Sequence, residues 1–241
     1  MRQKCYPPTQ AGVLYTIWRL FIVRRHKRRS AYRCRRLTVT AIDAIRRQLD
    51  DMGYFFERGW ALDQLTDTLR NFGRIKQVDQ IHPQDNSSLF IRSKKPIPVH
   101  NEDPDVKWLA WFCERSASDG GRTILVDGDK LISAISRPTI TALRSVVCSH
   151  RNPLFEPILS ESGKWYLIPW SLPKSLEREE SAALEDLRSA IGKQPSITID
   201  LKRGDILIVK NRRILHGREG FSDSSRKLIR VMAMEQPRST I

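Results

Sequence analysis

The 241-residue sequence predicts a mainly β domain, a sandwich or jelly roll with helices on its outside. Two observations carry this. Helical periodicity is confined to the early part of the chain and to one later insertion. From Ser88 onward, short β-like runs alternate with turn-forming Gly, Pro, Asn and Asp. Composition agrees: 40% apolar and 29% charged residues are ordinary for a globular chain, and this length buries a sizeable core without staples.

The elements follow in order. Thr38–Leu49 reads as a helix, with Ile42, Ile45 and Leu49 on one side and Gly53 as its stop. Tyr54–Phe56 is a short aromatic strand. Leu62–Phe72 is a second amphipathic helix, with Leu65, Leu69 and Phe72 on one side, closed by Gly73. The β-like runs are Leu89–Ile91, Leu109–Phe112, Thr123–Val126, Trp165–Ile168, Ile197–Ile199, Ile206–Val209 and Leu228–Met232. An acid-rich third helix, Ser175–Ile191, interrupts them, with Leu184, Leu187 and Ile191 at helical spacing. No internal repeat is visible.

The formal charge of +15 is unevenly placed. Residues 1–36 hold eleven basic residues and no acid, and the first acid is Asp43. The remaining 31 basic residues stand against 27 acids, so the body is nearly balanced. We therefore expect two parts: a basic extension over residues 1–36 that lacks order, and a folded domain over residues 37–241. Nucleic acid is expected to bind only non-specifically, through the extension. Within it, Ala11–Val23 is apolar but interrupted by Arg19, too short to span a membrane. An acid-free, Arg-rich start also has the composition of a mitochondrial presequence, though a cytoplasmic location is the expectation. The cysteines Cys5, Cys34, Cys113 and Cys148 show no CxxC spacing, which excludes a zinc ribbon or a thioredoxin motif.

Of the five histidines, His26 falls in the extension and His82 precedes Pro83 in a loop. His100 is followed two residues later by Glu102. At a strand end, positions i and i+2 point to one side, so imidazole and carboxylate can reach one metal ion. Alone, His-x-Glu is a weak signal. Two further segments strengthen it. Gly120-Gly121-Arg122-Thr123 leads into a strand, and Asn211-Arg212-Arg213-Ile214-Leu215-His216-Gly217-Arg218 follows the strand Asp205–Lys210. Arg226 and Arg230 come next, four residues apart.

In this order these segments resemble the taurine dioxygenase and clavaminate synthase-like superfamily of Fe(II)/2-oxoglutarate oxygenases. The resemblance runs from about Thr38 to the C-terminus. It implies a double-stranded β-helix, a cupin-like jelly roll. It also implies His100, Glu102 and His216 as catalytic metal ligands, a set of two imidazoles and one carboxylate that leaves one face of iron open. Dioxygen and 2-oxoglutarate would take that face, and the far carboxylate of 2-oxoglutarate would meet Thr123 and an arginine able to form two parallel hydrogen bonds. Arg226 matches the position of that arginine, and Arg230 is its rival, otherwise placed near the substrate's acidic group. The implied reaction hydroxylates an unactivated C–H bond of a small molecule, a free amino acid or specialised metabolite, with release of succinate and carbon dioxide. Desaturation or cyclisation on the same iron is an alternative. Halogenation is disfavoured, because halogenases of this type replace the carboxylate ligand and Glu102 is present. A basic nucleic-acid-binding or nucleic-acid-modifying protein on the same fold is a further alternative. It requires a basic patch on the body.

Three further residues are candidate substrate contacts. Asp103 and Asp105 follow the metal motif directly; each either holds an ammonium or guanidinium of the substrate or stands as a solvated loop acid. Trp170 belongs with Trp165 and Tyr166 to an aromatic cluster in the segment Lys164–Pro173, which reads as a lid wall or as core. Oligomeric state is not legible in the sequence.

Overall fold

The computed structural model describes residues 37–84, 90–149 and 155–236. The basic extension, with its Ala11–Val23 patch, His26, Cys5 and Cys34, lies outside the described residues, as does His150.

The chain enters through α1 (Val39–Met52), where the Thr38 hydroxyl accepts a hydrogen bond from the Ala41 N–H at the start. Gly53, at φ 78°, ends it by donating to the Leu49 carbonyl. After β1 (Tyr54–Glu57) comes α2 (Leu62–Phe72), whose boundaries match the sequence reading. Then follow β2 (Gly73–Ile81), β3 (Ile97–His100), β4 (Trp108–Arg115) and β5 (Thr123–Asp127). Helices α3 (Gly128–Ala134), α4 (Arg137–Ser145) and α5 (Arg178–Lys193) flank the hairpin of β6 (Val147–Ser149) and β7 (Phe155–Pro157). The chain closes with β8 (Ile197–Ile199), β9 (Ile206–Lys210), β10 (Ile214–Arg218) and β11 (Lys227–Glu235).

Two antiparallel sheets build the body. One has the order β1-β9-β4-β11-β2 and the other β3-β10-β5-β8. Strand alternation then sorts the residues into layers. Leu109, Trp111, Cys113, Leu207, Val209, Leu228 and Met232 of the first sheet meet Leu125, Ile199 and Ile214 of the second in the inner core. On the outer face of the first sheet, Ala110, Ile206, Ile208, Ile229 and Val231 pack under Ile45, Leu49, Leu65, Leu69 and Phe72 of α1 and α2. Outside the second sheet, Val126 and Leu215 are covered by Leu131, Leu143, Leu184 and Leu187 from α3, α4 and α5. Each fully buried aliphatic side chain contributes roughly 1.5–3 kcal/mol, so three apolar layers hold the sheets rigid around whatever their inner faces carry.

Several sequence expectations are corrected. β2 was not anticipated. Its pairing with β11 skips Lys76, so Ile75 and Val78, three residues apart, both face α1 and α2. That bulge hides the period of two. Of the run Leu89–Ile91, Leu89 lies outside the described residues, and Phe90–Arg92 forms a 3-10 turn rather than a strand. Trp165–Ile168 also forms no strand beyond a single bridge of Trp165 to Leu159, and it is buried as an irregular segment beneath the helices. The helix read at Ser175–Ile191 spans Arg178–Lys193, and two shorter helices, α3 and α4, were not anticipated.

Candidate active site

The site lies between the inner faces of the two sheets. β3 pairs with β10 so that His100 stands directly opposite His216. Close approach of these strands needs Gly217, because a Cβ there would lie 2.8 Å from the Ile97 carbonyl oxygen. The two imidazole rings are 4.3 Å apart between centroids. Potential ligand atoms of His100, Glu102 and His216 all lie within 4.8 Å of one another. The His100 Nδ1–H donates to the Pro98 carbonyl at 2.9 Å, which leaves Nε2 as the lone-pair nitrogen. Burial lowers the pKa of His100, and it lowers that of His216 well below the usual range, where the charges of His100 and Arg230 add to the effect. Burial thus favours the uncharged form of both rings, the form that can donate a lone pair. Trp111 of β4 packs edge-on against His216 at 5.0 Å, and Trp170 lies against His100 at 4.8 Å.

Glu102 sits just past β3, on a loop that Asn211 holds. The Asn211 side-chain oxygen accepts from the Glu102 N–H at 2.8 Å, and its amide nitrogen donates to the carbonyls of Val106 at 2.9 Å, Asp103 at 3.2 Å and Glu102 at 3.3 Å. Asn101 ties the same loop to the Asn211 carbonyl and accepts from the Leu167 N–H. Asn211 was quoted in the sequence motif without a role; its side chain is the buried splint of the loop.

The two arginines of the last motif face different surroundings. Arg226 lies just ahead of β11 and Arg230 within it, on the face that carries Leu228 and Met232. Arg230 is paired with two carboxylates: it bonds Glu102, and its Nε and Nη2 donate to Asp79 of β2 at 3.2 and 2.7 Å. Arg226 is 5% exposed, and among the described residues no carboxylate pairs with it. It reaches only the Gly121 carbonyl at 3.4 Å and the face of Phe221, 5.3 Å away. Burial pulls its pKa down to about 10. Gly121, at φ 69°, also makes room: a Cβ there would stand 3.3 Å from the Arg226 Nε. Arg218 is a second buried guanidinium beside the same Phe221 ring, 4.6 Å away. It donates to the Ser93 and Lys95 carbonyls, while its Nε has no partner. Its pKa too is lowered to about 10, by burial first and by Arg226 second. Thr123, buried at the start of β5, stands opposite Arg218 in the β5–β10 ladder. Sequence reasoning did not single out Arg218, although the His-Gly-Arg spacing places it on the face of His216.

The remaining candidates separate. Asp103 and Asp105 both pair with Lys76, at 2.8 and 3.4 Å. Trp165 and Tyr166 are wholly buried core residues, whereas Trp170 is 44% exposed beside His100.

A jelly roll with two histidines and a glutamate converging between its sheets defines a class: the double-stranded β-helix, here with a candidate metal-binding triad. Comparison with known proteins agrees. Residues 169–232 match the model of the family described as taurine catabolism dioxygenase TauD, TfdA family, a stretch that includes His216, Arg226 and Arg230. Among solved structures, an asparagine oxygenase in complex with Fe(II), 3-hydroxyasparagine and succinate is similar at 16% identity and TM-score 0.70, over 82% of this chain and 80% of that one. The non-haem iron oxygenase OrfP, in complex with iron and α-ketoglutaric acid, is similar at 18% identity and TM-score 0.66, over 83% and 81%. PvcB from Pseudomonas aeruginosa is similar at 18% identity and TM-score 0.64, over 81% and 82%. No curated protein sequence matches the chain.

Proposed function

We propose that this chain is an iron(II)- and 2-oxoglutarate-dependent oxygenase that hydroxylates an unactivated C–H bond of a free amino acid or a closely related small molecule. The observation that carries the reading is the convergence of His100, Glu102 and His216 within 4.8 Å, with a buried, carboxylate-free Arg226 in the same domain. Two imidazoles and one carboxylate fit a divalent iron, which His100, Glu102 and His216 would hold. Bound there, iron would supply dioxygen activation coupled to the oxidative decarboxylation of 2-oxoglutarate.

The chain's own residues do the rest. The Pro98 carbonyl fixes the His100 tautomer, and Asn211 fixes the backbone that presents Glu102. Arg226, desolvated beside Phe221, has its charge uncompensated by any described carboxylate and is the anchor for the far carboxylate of 2-oxoglutarate, with Thr123 as a supporting hydroxyl. Arg230 bridges Glu102 and Asp79 through three of its five N–H groups, and the remaining donors, held beside Glu102, are the contact for a substrate carboxylate. The apolar layers on both sides exclude bulk water from these charges. Asparagine oxygenase with its 3-hydroxyasparagine, and OrfP with (3S)-hydroxy-L-arginine, support an amino-acid substrate by analogy of fold.

The test is anaerobic iron titration followed by succinate measurement over a panel of L-amino acids. One iron per chain and succinate release stimulated by at least one amino acid are expected. His100→Ala, Glu102→Ala and His216→Ala should each abolish turnover. Full hydroxylation by Glu102→Ala would overturn the ligand assignment, and a chlorinated product in chloride would overturn the hydroxylase reading.

A further inference from the structure

We propose that Phe90 and Trp170 form the side-chain subsite of this active site, and that the substrate is an amino acid carrying an aromatic ring. The proposal rests on the oxygenase reading and narrows its substrate class.

Phe90 is 47% exposed and Trp170 44% exposed, yet their rings stack at 4.9 Å with an interplanar angle of 24°. Among the described residues, the other exposed large apolar side chains are Val39 and Met52, on the helix that covers the outer face of the first sheet, and Ile197 on β8, which β5 separates from β10. Trp170 in turn lies 4.8 Å from the His100 ring. An unburied aromatic surface thus runs from a metal ligand outward to solvent.

Both rings are set on short, internally bonded turns. Phe90 opens the turn Phe90–Arg92, whose ends are tied by Ser93 N–H to the Phe90 carbonyl and by Gln84 N–H to the Arg92 carbonyl, each at 3.0 Å. The Arg92 guanidinium adds a bond to Gln84 at 2.7 Å. Trp170 sits in the turn Pro169–Ser171, anchored by the buried Leu167 and Ile168 before it. A surface fixed in this way binds a flat partner at little ordering cost.

The surroundings of the triad give the ligand a direction. Arg230 lies on the Glu102 side and Trp170 on the His100 side. A carboxylate at the first end and a flat face at the second describe an α-amino acid laid across the open side of the metal. Aromatic rings and guanidinium groups both stack on tryptophan. A guanidinium also needs a carboxylate, and the acids nearest the triad in sequence, Asp103 and Asp105, are taken by Lys76. The geometry therefore favours a neutral ring.

Calorimetric titration of the full-length chain, loaded anaerobically with Fe(II) and 2-oxoglutarate, tests this with L-phenylalanine, L-arginine and L-serine as probes. L-Phenylalanine should bind tightest. Phe90→Ala should weaken it roughly tenfold, the loss of one aromatic contact, while hardly moving L-serine; Phe90→Tyr, which keeps the stack, should restore it. Tighter binding of L-arginine, equal binding of all three, or an equal loss for all three in Phe90→Ala would overturn the proposal. The two readings fail separately. A chain that loads no iron and forms no succinate defeats the oxygenase reading, whereas iron loading with turnover coupled only to a non-aromatic amino acid defeats the subsite alone.

Discussion

At the scale of single residues, the decisive contrast is between two arginines four positions apart. Arg230 bridges Glu102 and Asp79, and these carboxylates hold its pKa up despite burial. Arg226 has burial without a described counter-charge. A buried charge without a partner destabilises the empty protein, and a bound carboxylate would relieve it. Arg226→Ala should therefore raise the 2-oxoglutarate requirement by about 2–5 kcal/mol, on the order of thirtyfold or more, and should affect the substrate requirement much less. Arg226→Met should raise the melting temperature of the protein without 2-oxoglutarate, because it removes the unpaired charge and keeps the volume. Thr123→Val should shift 2-oxoglutarate binding in the same direction as Arg226→Ala by less. Isothermal titration and thermal melts report all three. A co-substrate defect in Arg230→Ala with a normal Arg226→Ala would exchange the two roles.

At the scale of elements, the loop between β3 and β4 shows how a strand end is fixed by a distant side chain. Asn211 sits between β9 and β10, more than a hundred residues from Glu102, and satisfies the Glu102 N–H and up to three carbonyls of that loop. Asn211→Ala would leave buried donors and acceptors unmet, at a cost of about 1–3 kcal/mol in stability. It should also weaken iron binding, since Glu102 loses its fixed backbone. A purely structural role would lower the melting temperature and leave the iron affinity of the folded protein unchanged, so metal titration below the melting range decides. None of this network is written in local sequence, because its partners are distant in the chain. Helices α1 and α2 were legible, since Ile45, Leu49, Leu65, Leu69 and Phe72 keep helical spacing over a single sheet face. β2 was not, because the bulge at Lys76 breaks its alternation. Trp165–Ile168 misled for a different reason: a fully buried apolar run carries no period, and irregular backbone bridged only to Leu159 reads like a strand. His100, Glu102 and His216 could be singled out because their residue types and spacing suit a metal ion, and the fold brings them together, whereas Asp79, Arg218 and Phe90 reach their neighbours only through the tertiary fold.

At the scale of the molecule, the layers around the two sheets close with residues from 37 onward. The inner core, the helix-covered faces and every candidate site residue lie within that span. We propose that residues 1–36 are dispensable for catalysis. Eleven basic residues without one acid repel one another, and such a segment buries too little apolar surface to offset its ordering entropy. The competing expectation is that Leu14, Trp18, Phe21 and Ile22, which have helical spacing, pack on the body as a helix. Deleting residues 1–36 separates the two. A truncated chain that stays soluble, keeps its melting temperature and keeps its succinate release makes the extension an appendage. Aggregation or lost turnover would make it part of the folded unit. Salt-sensitive binding to DNA should disappear with the deletion, because it depends on the number of clustered cations and the remaining chain is nearly neutral. If the truncated body retained that binding with the same salt dependence, the basic surface would belong to the domain itself, and a nucleic-acid substrate would displace the amino acid.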